Sequence, residues 1–270
     1  MGTRIAWLSA ETPAIDGGGG RRRQFHQIRV LLERGIDVHV ATLEGPQDDS
    51  SLRELCPVAR FPGRRWRPSG ELRRFLADVS PERAVVAHVE SLPHVRRALR
   101  GIPFLLDFHN VNSRWHAAHG ETGEASRWRR LEQDALRVAA VATACSAEEA
   151  RALGADVEVA GHGVAPDEWP ESALAAEREP AAALFGSWEH GPNAEAGRWL
   201  AAEIWPSVLE AAPDARLVIA GPGDPPVELV ALPGADHVGR IDSLAELLGR
   251  VRLALVPIRG GIGARVKFGE

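Results

Sequence analysis

The segment best suited to bind an anion is "GGIGARVKFGE", residues 260–270. Its glycines, up to Gly263, follow a strand-like stretch, and Arg265 and Lys267 lie where the next helix would begin. Lys267 is the only lysine in a chain with 32 lysine and arginine residues. Cations are unfavourable near a helix N-terminus unless an anion is bound there, and free amides at such a start suit a diphosphate. The segment therefore predicts a diphosphate site, with a surface ion pair between Lys267 and Glu270 as the simpler alternative.

Two further groups of residues are candidates for binding. A run of four glycines, residues 17–20, connects the first strand-like stretch to the first helical one, where backbone amides can approach a phosphate. Its spacing does not follow G-x-G-x-x-G, so a flexible loop is an equally good interpretation. His109, with Asn110 after it, follows the strand-like stretch "PFLLDF". A histidine at a strand end is usually structural, but this one is predicted at the mouth of a ligand crevice.

Composition and charge argue against several classes of protein. The 270 residues carry a net charge of −5, so no overall positive field indicates a nucleic-acid partner. The arginine triplet at 21–23 is interpreted as a solvated face. No signal peptide and no run of 18 apolar residues is recognisable, so we expect a cytoplasmic protein, with peripheral contact at a membrane surface left open. Cys56 and Cys145 are expected to be packed free thiols.

Short apolar stretches alternate with longer amphipathic ones, which is typical of βαβ units and a parallel sheet. Strands are predicted at residues 4–9, 37–42, 84–89, 103–108, 140–146 and 156–161, and again at 181–187, 215–221, 235–241 and 252–258. The longest predicted helices are 21–35, 122–137 and 193–213. Ser146 and Ser243 are predicted helix N-caps. The proline- and arginine-rich stretch 44–69 is interpreted as loop, and 109–121 as a polar connection.

A region rich in proline and charge, without a strand pattern, separates two alternating halves. The predicted fold is therefore α/β, with two Rossmann-like, doubly wound domains. The first domain is predicted over residues 1–165, the linker over 166–180 and the second domain over 181–270. Because ligands of such folds bind beyond the carboxyl ends of the parallel strands, the cleft between the domains is the predicted site.

The order of motifs resembles that of GT-B glycosyltransferases of the retaining family 4 type. The resemblance rests on "LFGSWEHGPNAEAGRWLAAEIW" and "GRIDSLAELL" in the second half, followed by the pattern GxGxRxKxxE. In the first half, "LLERGIDVHVAT", "LLDFHNVNS" and "GHGVAPDEW" agree with it. The second domain of the resembling enzymes continues past the residue that matches Glu270. We therefore expect a truncated chain whose second domain is incomplete.

The resemblance implies roles for residues around the nucleotide. Glu270 matches a glutamate that holds the ribose hydroxyls of the donor, whereas Ile262 stands where the family's other glutamate would be. Arg265 and Lys267, with the amides after Gly263, match the residues that neutralise the diphosphate. That arrangement lets the family act without a required metal.

It also implies roles for residues nearer the sugar. His109 matches a histidine that contacts the donor sugar close to its reacting carbon, and it is the predicted catalytic residue. Gly19 and Gly20 match glycines that approach the donor phosphates or the acceptor. Gly186 is a further predicted donor-binding position, although Ser187 follows it where the family often has a phosphate-binding arginine nearby.

The function that the resemblance implies is transfer of a sugar from a nucleotide-diphosphate donor to an acceptor, with retention of the anomeric configuration. The nucleotide sugar is a substrate, so no cofactor and no metal site are expected. The acceptor is a glycan, a lipid or a small molecule, which the sequence does not distinguish. Two alternatives remain open: a nucleotide-sugar epimerase of the same architecture, and a catalytically silent module that binds a nucleotide sugar.

Overall fold

The protein is described by a computed structural model in which two compact units divide between Gly163 and Val164. Each unit is built around a parallel β-sheet with helices packed on it. The structure describes residues 2–15, 18–43, 49–61, 70–154, 156–169 and 177–259.

The first unit has a sheet of seven parallel strands in the order β3-β2-β1-β4-β5-β6-β7. The strands are β1 Arg4–Ser9, β2 Asp37–Leu43, β3 Val58–Phe61, β4 Arg83–Ala87, β5 Phe104–Phe108, β6 Val141–Ala144 and β7 Val157–Val159. The chain runs outward from β1 to β3 and then returns to place β4 on the other side of β1. The strand order therefore reverses between β1 and β4, and such a reversal opens a crevice at the carboxyl ends of the strands.

Helices cover both faces of this sheet. They are α1 Gly19–Glu33, α2 Ser50–Leu55, α3 Gly70–Val79, α4 Leu92–Val95, α5 Asn112–Ala118, α6 Thr122–Leu136 and α7 Ala147–Leu153, with a 3₁₀ turn at Val89–Ser91. Phe25 and Ile28 of α1 pack with Leu52 of α2 on one face. Leu72 of α3 and Val95 of α4 belong to the core on the opposite face. The elements that follow β1 and β4 thus leave the sheet towards opposite faces.

The second unit has four parallel strands in the order β10-β9-β8-β11. They are β8 Glu179–Phe185, β9 Arg216–Ala220, β10 Ala235–Gly239 and β11 Val251–Leu255. The helices are α8 Gly191–Trp199, α9 Trp205–Ala211, α10 Val227–Val230 and α11 Leu244–Arg250, with a 3₁₀ turn at Pro166–Glu168. The helix predicted over 193–213 is interrupted by a π-helical segment, Leu200–Ile204. Pro206 lies in the first turn of α9, and its missing N–H explains why a regular α-helical ladder does not continue there.

The α/β fold class with two Rossmann-like sheets is confirmed. Ser146 and Ser243 cap α7 and α11 as predicted, because each hydroxyl accepts a hydrogen bond from the amide three residues later, at 3.2 Å. Two predictions are wrong. Stretch 44–69, interpreted as loop, contains α2 and β3, and 109–121, interpreted as a connection, contains α5. Tertiary packing forms α2, since Leu52 and Cys56 are buried against the sheet.

Candidate active site

His109 follows β5 directly and lies at the carboxyl edge of the first sheet, as predicted. Its side chain is only 4% exposed. Nε2 lies 3.2 Å from Oδ2 of Asp107, but the approach is off the direction of the ring N–H, so the contact is electrostatic rather than an aligned hydrogen bond. Nδ1 has no hydrogen-bond partner among the described residues. A Cβ placed on Gly20 would stand 3.1 Å from Nδ1, so this nitrogen faces the first turn of α1.

Asp107 is the anionic centre beneath His109. It lies within β5, is 1% exposed and accepts a 2.7 Å hydrogen bond from the Thr143 hydroxyl. Arg23 donates to both of its oxygens, from Nε at 3.3 Å and from Nη2 at 3.2 Å. Burial alone would raise the pKa of Asp107, but His109, the charge of Arg23 and the Thr143 hydroxyl together hold it well below its usual range. The carboxylate is therefore ionised at neutral pH.

Arg23 corrects the interpretation of the arginine triplet as a solvated face. Its side chain is 3% exposed, and Nη1 also donates to the Gly161 carbonyl at 2.9 Å. The signal that could have revealed it is Asp107, a carboxylate inside an otherwise apolar strand, because a buried charge requires a buried partner. Arg23 and Gln27 are four residues apart on α1 and therefore share the helix face that reaches Asp107.

A second polar chain runs beside the first. The indole N–H of Trp7 donates to Oε1 of Gln24 at 3.1 Å, and Nε2 of Gln24 lies 3.4 Å from Nε2 of His88. The His88 ring contacts the His109 ring, with their centroids 4.0 Å apart and a tilt of 43° between planes. Burial, followed by the charge of His109, lowers the pKa of His88 to about 3. His88 is therefore neutral, and sequence reasoning did not single it out.

Two half-exposed carboxylates and a third imidazole surround this pair of rings. Oε2 of Glu11 lies 3.7 Å from Nε2 of His88, and Oε1 of Glu90 lies 3.9 Å from its Nδ1. Burial and the charge of Glu11 raise the pKa of Glu90. Burial, with the charges of Arg23 and His109, lowers the pKa of His162 to about 4. The rim is therefore acidic, while His88 and His162 carry no charge at neutral pH.

The first turn of α1 presents backbone amides at this site. Gly18 is the N-cap and makes no side-chain capping bond, and the first turn contains no acidic residue. The first amides of a helix have no partner within the helix, and the helix dipole makes them attractive to an anion. Gly19 and Gly20 lie in that turn, and Gly20 approaches the His109 ring, so the structure brings Gly20 and His109 together with Gly19 next to them in the chain.

The other predicted donor-binding residues lie elsewhere in the chain. Gly186 belongs to the second unit, where it follows β8 and its amide donates to the Ala220 carbonyl at 3.1 Å. Its backbone has a φ of +145°, and a Cβ on Gly221 would stand only 2.0 Å from its carbonyl oxygen. The remaining four fall outside the described residues: Gly263, Arg265, Lys267 and Glu270.

Cysteine, metal and membrane features add little to the site. Cys56 and Cys145 are buried free thiols, as predicted, and burial raises their pKa values to about 11 and about 12. Within the described ranges, no three histidine, cysteine or carboxylate side chains are arranged to hold a metal ion. None of the helices in the described part of the chain combines the length and apolarity needed to cross a membrane.

The sequence model of Glycosyltransferase Family 4 matches residues 17–168, which is more than half of the chain. The protein belongs to that family. A search of curated protein sequences found no match.

Solved structures share the two-sheet architecture of the GT-B fold. Sucrose-phosphate synthase from Thermosynechococcus elongatus superposes with a TM-score of 0.71 at 17% identity, over 98% of this chain and 77% of that one. HepE from Anabaena, in complex with UDP-glucose, gives 0.62 at 14% identity, over 93% and 72%. MurG from Acinetobacter baumannii gives 0.55 at 13% identity, over 93% and 72%. At these identities the likeness establishes the GT-B fold.

Proposed function

We propose that this protein transfers a sugar from a nucleotide-diphosphate donor to an acceptor, with retention of the anomeric configuration. The observation that carries the proposal is the buried imidazole of His109, whose Nδ1 faces the first turn of α1 in a chain of Glycosyltransferase Family 4. The resembling enzymes have a histidine at this place, near the reacting carbon of the donor sugar. HepE, a structure of the same fold, is in complex with UDP-glucose, which supports a uridine diphosphate donor here.

Asp107 suits His109 for contact with a neutral sugar. Its ionised carboxylate lies 3.2 Å from Nε2, which favours a proton on that nitrogen and leaves the lone pair on Nδ1. Nδ1 can then accept a hydrogen bond from a sugar hydroxyl in the space beside Gly20. No carboxylate nucleophile is required, because a same-face displacement proceeds through departure of the diphosphate.

Two sets of groups would stabilise the charge of the departing diphosphate. The first turn of α1, whose N-cap Gly18 has no side chain, supplies amides and the positive end of a helix dipole. We expect Arg265 and Lys267 to supply cations, as they do in the resembling enzymes, and therefore expect no metal requirement. Interactions that strengthen as charge develops on the leaving group lower the barrier selectively. Activity should accordingly persist after dialysis against a chelator.

The residues of the protein indicate less about the acceptor than about the donor. We propose that the first unit also binds the acceptor, that the second unit contributes residues that bind the nucleotide of the donor, and that the protein acts in the cytoplasm. The acceptor would be a glycan, a lipid or a small molecule with a free hydroxyl. Glu11 and Glu90, on the rim beside His88, are the carboxylates nearest to receive its hydrogen bonds.

A second candidate is a nucleotide-sugar epimerase. It is favoured by the similarity to a proposed UDP-N-acetylglucosamine 2-epimerase from Listeria monocytogenes, with a TM-score of 0.54 at 8% identity, over 94% of this chain and 74% of that one. Incubation of the protein with UDP-N-acetylglucosamine or UDP-glucose, without an acceptor, separates the candidates. An epimerase forms a new UDP-sugar, a transferase gives at most slow hydrolysis, and a silent module leaves the sugar unchanged.

Binding of the diphosphate is the first test of the proposal. We expect UDP and UDP-glucose, at about a hundred times their dissociation constants, to stabilise the protein by about 2.7 kcal/mol. Uridine at the same concentration should leave the thermal midpoint unchanged, because it lacks the charged group that the helix start recognises. Equal midpoints with UDP, with other nucleoside diphosphates and with uridine would contradict a donor site in this protein.

A further inference from the structure

His88 has a backbone conformation that residues with side chains rarely adopt. Its φ is +71° and its ψ is 127°, a strained conformation for a non-glycine residue. Two hydrogen bonds impose the conformation: its amide donates to the Asp107 carbonyl at 3.1 Å, and its carbonyl accepts from the Ser91 amide at 3.1 Å. A strained backbone of this kind persists only where surrounding contacts hold it in place, and it is commonest at functional sites.

The conformation places the His88 ring against His109. Ala87, the last residue of β4, pairs with Asp107 of β5, so the two histidines leave neighbouring strands at nearly the same level. Their ring centroids are 4.0 Å apart. His109 makes no aligned hydrogen bond through either ring nitrogen among the described residues, so its orientation depends on the groups that pack against it.

The protonation of His88 follows from a chain of hydrogen bonds. An indole nitrogen can only donate, so Trp7 requires the carbonyl oxygen of the Gln24 side chain to face it. The amide nitrogen of Gln24 then faces Nε2 of His88 at 3.4 Å, and it can only donate. Nε2 must therefore accept, and in a neutral ring the proton resides on Nδ1.

We propose that His88 is a positioning residue: its ring, held as the Nδ1–H tautomer by Trp7 and Gln24, fixes the orientation of the His109 imidazole. The role in sugar transfer rests on the proposed function, whereas the positioning itself does not. Burial lowers the pKa of His88 to about 3, so the ring can accept from Gln24 across the physiological range.

The charged groups around His88 leave its ring neutral, so the ring acts on His109 through packing contact. Glu11 and Glu90 approach its two nitrogens at 3.7 and 3.9 Å, distances beyond a hydrogen bond. Asp107 of β5 and His109 directly after it lie near His88, and their charges act in opposite directions on its pKa. A neutral ring beside His109 adds no charge to the site.

The tautomer can be measured without any substrate. In nitrogen-15 NMR spectra of the full chain, labelled at histidine, we expect His88 as the neutral Nδ1–H form from pH 5 to pH 8. An Nε2–H form, or a charged ring at pH 7, would overturn the proposal whatever the behaviour of variants.

Two variants test whether His88 orients His109. His88→Asn removes the ring but keeps a residue type that tolerates positive φ, and His88→Gly also relieves the strain. Ser80→Gly is the matched control, because Ser80, with a φ of +49°, is the other non-glycine residue of positive φ among those described. Both His88 variants should shift the nitrogen-15 signals of His109, and the control should not. Unchanged His109 signals in both folded variants would refute positioning.

Kinetic constants distinguish positioning from a purely structural role, because only positioning lowers kcat while KM changes little. The His88 variants should lower kcat for release of UDP from UDP-glucose about 10- to 100-fold, because small displacements of a reacting group are costly. KM should change less than about threefold, and Ser80→Gly should match the parent chain. If the parent chain neither binds UDP-glucose nor releases UDP from it, the proposed donor fails, while the NMR result still decides the positioning role.

Discussion

The Arg23 guanidinium and the Asp107 carboxylate form a bidentate ion pair inside the first unit, with N–O distances of 3.3 and 3.2 Å. The two side chains are 3% and 1% exposed. The pair joins the second turn of α1, directly after the amides presented at the candidate site, to the strand that precedes His109. Stability and site geometry therefore depend on the same contact.

We expect Asp107→Asn to destabilise the protein by about 3–5 kcal/mol, because it leaves the buried charge of Arg23 without a counter-ion. Unfolding in urea at pH 7, followed by circular dichroism, measures the loss. The matched control is Asp37→Asn, which removes the partner of Arg4 in a pair that is 45% and 42% exposed, and should cost at most about 1 kcal/mol. Similar losses in the two variants would show that the buried pair has no special role.

The same pair predicts a pH dependence. The pKa of Asp107 is lower in the folded state than the ordinary value of 3.8 for an aspartate, so its contribution to stability is present above that value and is lost as the pH falls towards the folded pKa. The free energy of unfolding should therefore decline more steeply below about pH 4 in the parent chain than in Asp107→Asn. If the free energy of unfolding declines equally steeply in the two proteins below about pH 4, another carboxylate controls acid unfolding.

Gly20→Ala tests the close approach of α1 to His109. The new Cβ would stand 3.1 Å from Nδ1, so the imidazole must shift by a few tenths of an ångström to accommodate it. We expect UDP release from UDP-glucose to fall about tenfold, while alanine's better helix propensity keeps the unfolding free energy within about 1 kcal/mol of the parent. Gly123→Ala, in the first turn of α6 with nothing within 4 Å of the new Cβ, is the control and should leave activity unchanged.

Glu149→Gln should stabilise the protein at neutral pH. Glu149 is 2% exposed, and burial raises its pKa from 4.5 to about 6. A raised pKa means that the folded state holds the proton more tightly, so this stabilising contribution is present below pH 4.5 and lost as the pH rises through about 6. The glutamine variant should gain roughly 1–2 kcal/mol at pH 8 and little at pH 4.

The neighbouring glutamate provides the control for that experiment. Glu148 lies beside Glu149 in the first turn of α7, is 70% exposed and pairs with Arg114. Glu148→Gln should lose at most about 1 kcal/mol, with no gain at high pH. Thermal unfolding of both variants between pH 4 and pH 8 shows whether each substitution stabilises or destabilises the protein. A Glu149→Gln chain less stable than its parent at pH 8 would contradict the prediction.

Lys267→Ala should weaken binding of a nucleoside diphosphate about ten- to a hundredfold. A hydrogen bond to a charged group contributes roughly 1.5–3 kcal/mol, whereas a surface pair with Glu270 would contribute only about 0.2–0.5 kcal/mol. Titration calorimetry with UDP measures the change, and uridine, which lacks the diphosphate, should bind parent and variant alike. Lys267→Arg should recover part of the loss. Unchanged UDP affinity in Lys267→Ala would make Lys267 a surface residue.

Much of the architecture could be predicted from local pattern. The period of apolar residues distinguishes strands from helices, and their alternation requires a parallel sheet, so β1, β5 and the caps at Ser146 and Ser243 were all predictable. These features depend on residues a few positions apart. Stretch 44–69 could not be predicted in this way, because Leu52 becomes helical, and both Leu52 and Cys56 become buried, through contact with a sheet formed by distant strands.

The same distinction holds within the candidate site. His109 and the glycines at the start of α1 were found from residue type and from position at the end of an element. Arg23 and His88 were not, because their roles depend on partners 84 and 64 residues away, Asp107 and Gln24. Sequence alone determined which segments carry the chemistry. Only the tertiary structure decided that one arginine of three is buried and that two histidines touch, since both follow from the order in which the strands pair.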